Sequence, residues 1–241
     1  MLPQMSPITF ARIAGALYLT IAVAGSFSIG YLPSVIIAPG DAAATAEHLL
    51  NTQSLFRLGI LADVIVLLAE IALTAMLYVM FRSVSRTLSL VAAFARLGMI
   101  VVMGINLLIN LVPLLLLTGG GTAVAIAPQQ AQATISLIFE IHALGVYVWG
   151  IFFSLHLFAL GVLMVRSGFF PRVLGAMILF GSFAYLLDAL TQITGTGGTV
   201  VSAIVIGLLA IVTVAELTFA FWLLIRGPNI SAWNKLNPIA A

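Results

Sequence analysis

The chain has 241 residues, of which 63% are hydrophobic and 7% charged, whereas soluble domains carry about 25% charged residues; this excludes a water-soluble globular protein and predicts an integral membrane protein. A formal net charge of +2 is too small to point to a nucleic-acid partner. The lack of any cysteine excludes disulfides, thiolate metal sites and cysteine nucleophiles.

A helix that crosses a bilayer needs about 20 mostly apolar residues. Six stretches meet that requirement, at residues 8–32, 55–81, 88–117, 133–165, 172–193 and 199–225. They predict an all-α protein, a bundle of six transmembrane helices forming one integral membrane domain over residues 1–241. The first span follows "SPITF". Its "AVAG" at 22–25 resembles a signal-peptidase site, but apolar sequence continues to Ile37, so an uncleaved span is expected. The next link, "APGDAAATAEHLLNTQ", opens with Pro39-Gly40-Asp41, which can cap a short helix lying at the surface of the first external loop. A short turn joins the second and third spans, "TGGGTAVAIAPQQAQ" the third and fourth, "RSGFFPR" the fourth and fifth, and "TGTGG" the last two.

Positive charges set the expected orientation. Arg82, Arg86, Arg166, Arg172, Arg226 and Lys235 fall in the even links and the tail, whereas the odd links have neither Lys nor Arg. The positive-inside rule then places both termini in the cytoplasm of a cell, or inner, membrane.

Depth identifies an unusual cation. If the third span enters from the cytoplasm near Leu88, Arg96 lies about 12 Å inside. Glu70, on the second span, reaches a similar height, and helices joined by a short turn pack together. The expectation is an Arg96–Glu70 ion pair, with Glu216 the second choice of partner. The alternative is that Arg96 snorkels to the inner headgroups, a long reach for its side chain. Met103, Asn106 and Asn110 fall within about 80° of Arg96 on the helical wheel, a polar stripe that lipid would not tolerate.

The fourth span has two stripes. Glu140, Tyr147 and Ser154 recur at intervals of seven, as do His142, Trp149 and His156, and the stripes lie about 160° apart. Polarity on opposite sides predicts a helix surrounded by others. The fifth span adds Tyr185, Asp188 and Gln192, and the sixth Thr213 and Glu216. By depth the ionisable residues form an outer layer of Asp63, Glu140, His142 and Asp188 and an inner layer of Glu70, Arg96, His156 and Glu216. Carboxylates outnumber the one deep cation, and in a low dielectric they take up protons or recruit a cation. The bland reading is that each hydrogen-bonds a neighbouring helix and only holds the spans together.

The candidate polar interior is therefore Asp63, Glu70, Arg96, Asn106, Asn110, Glu140, His142, His156, Asp188 and Glu216. It predicts binding or passage of a small solute or cation, coupled to protonation of interior carboxylates, by a protein surrounded by the lipid bilayer. Two contrasting readings stand beside it: a membrane-embedded metal or haem enzyme, and a helical scaffold for a partner protein. Asp63, Glu140, His142 and Asp188 are the weak metal candidates, without HExxH or other tight ligand spacing. His142 and His156 have a two-haem spacing, but the only further histidine is His48, in a link, so a homo-oligomer would have to supply the other ligands. Ser154 and His156, two apart on a helix, do not face each other, and no GxSxG elbow is present.

At "DAAATAEHLLNTQSLFRLGILADV" and "FFSLHLFALGVLMVRSGFFPRVLGAM" the chain resembles the bacterial membrane proteins grouped as domain of unknown function 4386. The family pattern reads FFGLHLLLLGYL and then SGYLPRxLG. Here Ser154 replaces a glycine, while His156, Gly161, Ser167, Gly168, Pro171, Arg172 and Gly175 match, and Arg57, Gly59, Asp63 and Arg96 also fall on family-like positions. The resemblance runs from "ARIAGALYL" to the fifth span. It implies six-helix integral membrane character and no particular activity.

Overall fold

The computed structural model describes residues 5–118 and 127–237. The glycine-rich part of the third link, expected to be external, falls outside these residues. Among the described residues every regular element is a helix. Helix α1 (Pro7–Gly25) starts where Ser6 accepts a hydrogen bond from the Thr9 amide, with proline in the first turn. It runs without a break into a π-helical turn, Ser26–Tyr31, and then α2, Leu32–Ile36. Gly40, at φ +77°, turns the chain, and Asp41 caps α3 (Ala42–Asn51) by accepting from the Ala44 amide. The long helices follow: α4 (Gln53–Phe81), α5 (Arg86–Thr118), α6 (Pro128–Ser167), α7 (Arg172–Thr194) and α8 (Thr199–Ile225), with a short α9 (Ile230–Leu236) behind them.

Six helices are long and apolar enough to cross a membrane: the continuous Pro7–Ile36 run, α4, α5, α6, α7 and α8. They agree with the six stretches read from hydropathy. The chain is a multi-pass membrane protein by this measure.

The packing order is a closed circuit. Helix α1 packs on α4, α4 on α5, α5 on α6, α6 on α7, α7 on α8, and α8 back on α1. This corrects the expectation that the fourth span is central: α6 is a member of the ring between α5 and α7, with α3 lying against it. The stripe of His142, Trp149 and His156 points into the ring. The stripe of Glu140, Tyr147 and Ser154 is divided, with Ser154 buried and Glu140 exposed.

Ring closure depends on residues without side chains. A Cβ on Gly161 would meet the Leu179 amide nitrogen at 2.6 Å and the Gly175 carbonyl at 2.8 Å, so α6 and α7 touch backbone to backbone. A Cβ on Gly15 would meet the Leu224 nitrogen at 2.6 Å where α1 closes on α8. Inside a bilayer, helices gain little from hiding apolar surface from lipid, and close packing through small residues takes over that role.

Two apolar clusters close the ends. At the end where α4 turns into α5 and α6 into α7, Phe81, Phe169 and Phe170 pack with Trp233 of α9 nearby, the Phe169 and Trp233 rings 5.2 Å apart. The Asn229 amide donates to the Phe169 carbonyl at 2.9 Å and ties the tail to that plug. At the other end Leu32, Ile36, Leu49, Phe56, Ile135 and Phe139 form a smaller cluster beneath α3. The larger cluster continues from that plug to Tyr18, Met99, Phe153 and Leu157, beside the inner polar residues.

Candidate functional site

Arg96 is 1% exposed and its Nη2 lies 2.6 Å from Glu70 Oε2. The expected pair is present, and the snorkelling alternative is not. Its Nη1 lies 2.9 Å from His156 Nε2. Because a guanidinium can only donate, Nε2 must accept; the imidazole hydrogen is then on Nδ1, which donates to the Ala92 carbonyl at 2.9 Å. Ala92 is one turn before Arg96 on α5, so His156 reads the cation and its own helix together. The guanidinium also lies 5.7 Å from the centroid of the Tyr18 ring. Among the described residues Arg96 Nε has no hydrogen-bond acceptor.

Glu216 occupies the opposite side of this network. Its Oε1 accepts from the Tyr18 hydroxyl at 2.9 Å and its Oε2 from the Tyr185 hydroxyl at 3.3 Å. Helices α1, α4, α5, α6, α7 and α8 thus each contribute one of Tyr18, Glu70, Arg96, His156, Tyr185 and Glu216. The four residues of the inner layer come together as their depths implied. Sequence reasoning missed Tyr18, although a tyrosine hydroxyl halfway along an apolar span has to find a partner.

Beside this network lies a chamber of about 470 Å³, lined from all six spans. Glu70, Arg96, Glu216, Tyr18 and Tyr185 make its polar side; Met99, Ile100, Met103, Val66, Trp149 and Phe153 make much of the rest. Its exposed lining residues include Ser26 and Gly30 of the π-helical turn and Thr213 and Leu217 of α8, so the mouth lies along those two elements. A π-helical turn widens the helix by one residue and is frequent at functional sites.

A second cavity, of about 200 Å³, is lined by Ser28, Asn110, His142 and Tyr147 among others, and Ile29 and Val146 line both spaces. Asn110 Oδ1 is buried there without a hydrogen-bond partner among the described residues. Asn106 has a different role: its Nδ2 donates to the His142 carbonyl at 3.2 Å, and its side chain fills the space that a Cβ on Gly145 would occupy. It fastens α5 to α6.

The outer layer does not assemble. Asp63 is buried beside Ser28, and Asp188 is half-buried on α7. Glu140, expected in the interior, is exposed on α6 and is removed from the candidate site. The helical period separates two stripes but does not say which faces inward. Among the described residues no three of His, Asp and Glu converge as a metal-binding group, so Asp63, Glu140, His142 and Asp188 do not form one centre. Both nitrogens of His156 are engaged within the protein, which leaves neither for haem iron.

Comparison with known proteins adds kinship without chemistry. An uncharacterized protein of Archaeoglobus fulgidus (strain ATCC 49558 / DSM 4304 / JCM 9628 / NBRC 100126 / VC-16) is 41% identical over 81 residues, 34% of this chain and 45% of that one. The chain thus matches less than half the length of that relative. No solved structure matches. The family described as Domain of unknown function (DUF4386) matches residues 13–227, nearly the whole ring, and the chain belongs to that family.

Proposed function

We propose that this protein holds a small solute inside its ring of helices and gives it a route into or across the membrane. The observation that carries this reading is the chamber of about 470 Å³ to which every span contributes, with charged groups on one side and apolar side chains elsewhere. Its volume lies in the range of about 300–1,000 Å³ typical of small-molecule pockets, and its few convergent polar groups in an apolar wall are typical as well. A purely structural ion pair would need no such space beside it. Because Glu70 is held by Arg96, Glu216 is the interior carboxylate whose protonation would couple to occupancy.

In this reading both termini are cytoplasmic and α3 lies on the external side. Support comes from Arg82, Arg86, Arg166, Arg172 and Arg226, which all fall at or next to the ends of α4–α8 that meet at the phenylalanine plug.

The native chain has no cysteine, which allows a direct test. Thr213→Cys places a thiol on the chamber wall and Val214→Cys places one on the next face of α8, which lines a separate surface groove. A charged thiosulfonate reagent, added to cells, reacts with a thiol in water and not with one in lipid. Much faster modification of the Thr213→Cys chain is expected. Equal, slow reaction of both variants would show the chamber to be closed to water and would end this reading.

A further inference from the structure

We infer that the solute is an organic cation, an ammonium group attached to an apolar body, bound with its charge against Glu216. The inference rests on the reading of the chamber as a solute site and adds the chemical class.

Charge accounting comes first. The Arg96–Glu70 contact is the only salt bridge among the described residues, and it neutralises the one deep permanent cation. The other terminal nitrogen of Arg96 is turned away to His156. Among the described residues Glu216 makes no salt bridge. Its two neighbours are hydroxyl donors, one to each oxygen, which is the arrangement that suits a carboxylate bearing its charge. A charge so placed beside a low-dielectric chamber attracts a cation.

The surrounding side chains select the kind of cation. Trp149 stacks on Phe153 with ring centroids 4.6 Å apart, and Tyr185 meets Phe153 edge-on at 4.8 Å. All three line the chamber with Glu216. Aromatic faces carry negative quadrupole density and attract ammonium groups, most strongly where water is excluded. The chamber offers a hard metal ion only two carboxylates, one of them already paired with Arg96. Calcium takes about six to eight oxygen ligands, whereas no cluster of three His, Asp or Glu exists among the described residues. With Glu70 paired to Arg96, one carboxylate free of an ion pair, aromatic faces and an apolar remainder match an alkyl- or arylammonium better than an inorganic ion or an anion.

The test compares three probes of one shape and different charge. Benzyltrimethylammonium is the cation, neopentylbenzene its neutral isostere, and phenylmethanesulfonate the anion. The protein has three tryptophans; W222F together with W233F leaves Trp149, on the chamber wall, as the only reporter. Benzyltrimethylammonium should change Trp149 fluorescence saturably in purified protein. The neutral isostere should bind more weakly by about tenfold or more, or about 1.4 kcal/mol or more, the loss expected when a desolvated cation–π and carboxylate contact is removed. Glu216→Gln should weaken binding of the cation and leave that of the neutral probe unchanged. Equal binding of cation and isostere by the Glu216 protein, or preference for the sulfonate, would overturn the assignment; neither outcome depends on whether the variant folds. If no probe binds while the Thr213→Cys thiol is reactive, the cation class is wrong and the chamber reading survives. If no probe binds and that thiol is inert, both fail.

Discussion

Arg96→Met tests whether the buried ion pair holds the ring together. The substitution keeps most of the apolar stem and removes the guanidinium, so that Glu70 loses its cation and His156 Nε2 its donor. Both partners are almost completely shielded, with side-chain exposures of 1% and 7%. Breaking a pair this dry by removing one member costs roughly 3–5 kcal/mol, most of it from the charge left unpaired. Glu70→Gln should cost less, because His156 and the Tyr18 ring still attend Arg96. The double variant leaves no unpaired carboxylate and should lose clearly less than the sum of the singles, with a coupling of about 1–3 kcal/mol. Equilibrium unfolding in mixed micelles with a rising fraction of denaturing detergent provides the measurement. Single losses that add without coupling would refute the argument that the two side chains act as a unit. Losses below about 1 kcal/mol for Arg96→Met would refute the claim that the pair is dry.

Two further outcomes are expected. Gly161→Ala places a methyl group against the Gly175 carbonyl and the Leu179 nitrogen on α7, and should destabilise by about 1–3 kcal/mol through overpacking; a stability equal to that of the native chain, read by the same unfolding assay, would show that α6 and α7 can separate without loss. A reporter fused after Ser85, between α4 and α5, should read as cytoplasmic and one after Gly197, between α7 and α8, as external; the reverse pattern would overturn the orientation and the external placement of α3.

Hydropathy alone determined the number and approximate place of the apolar helices, because a bilayer imposes a length and a composition on each crossing separately. Depth along single helices also brought Glu70, Arg96, His156 and Glu216 to one level, because rise per residue is a property of the helix itself. The Arg96–Glu70 pair followed from depth and the shortness of the turn between α4 and α5. What each helix presents to which neighbour is a matter of rotation and of long-range packing, and sequence periodicity constrains neither. Glu140 and His142 are two residues apart, yet only the tertiary structure decided that His142 is buried and Glu140 exposed. The contact of α8 with α1 brings Glu216 to Tyr18 across 198 residues of chain, and a contact at that separation leaves no local signature. Closing the ring, rather than centring it on α6, also opened the chamber: a helix in the middle would have filled with side chains the space that Trp149, Glu216 and Arg96 now border.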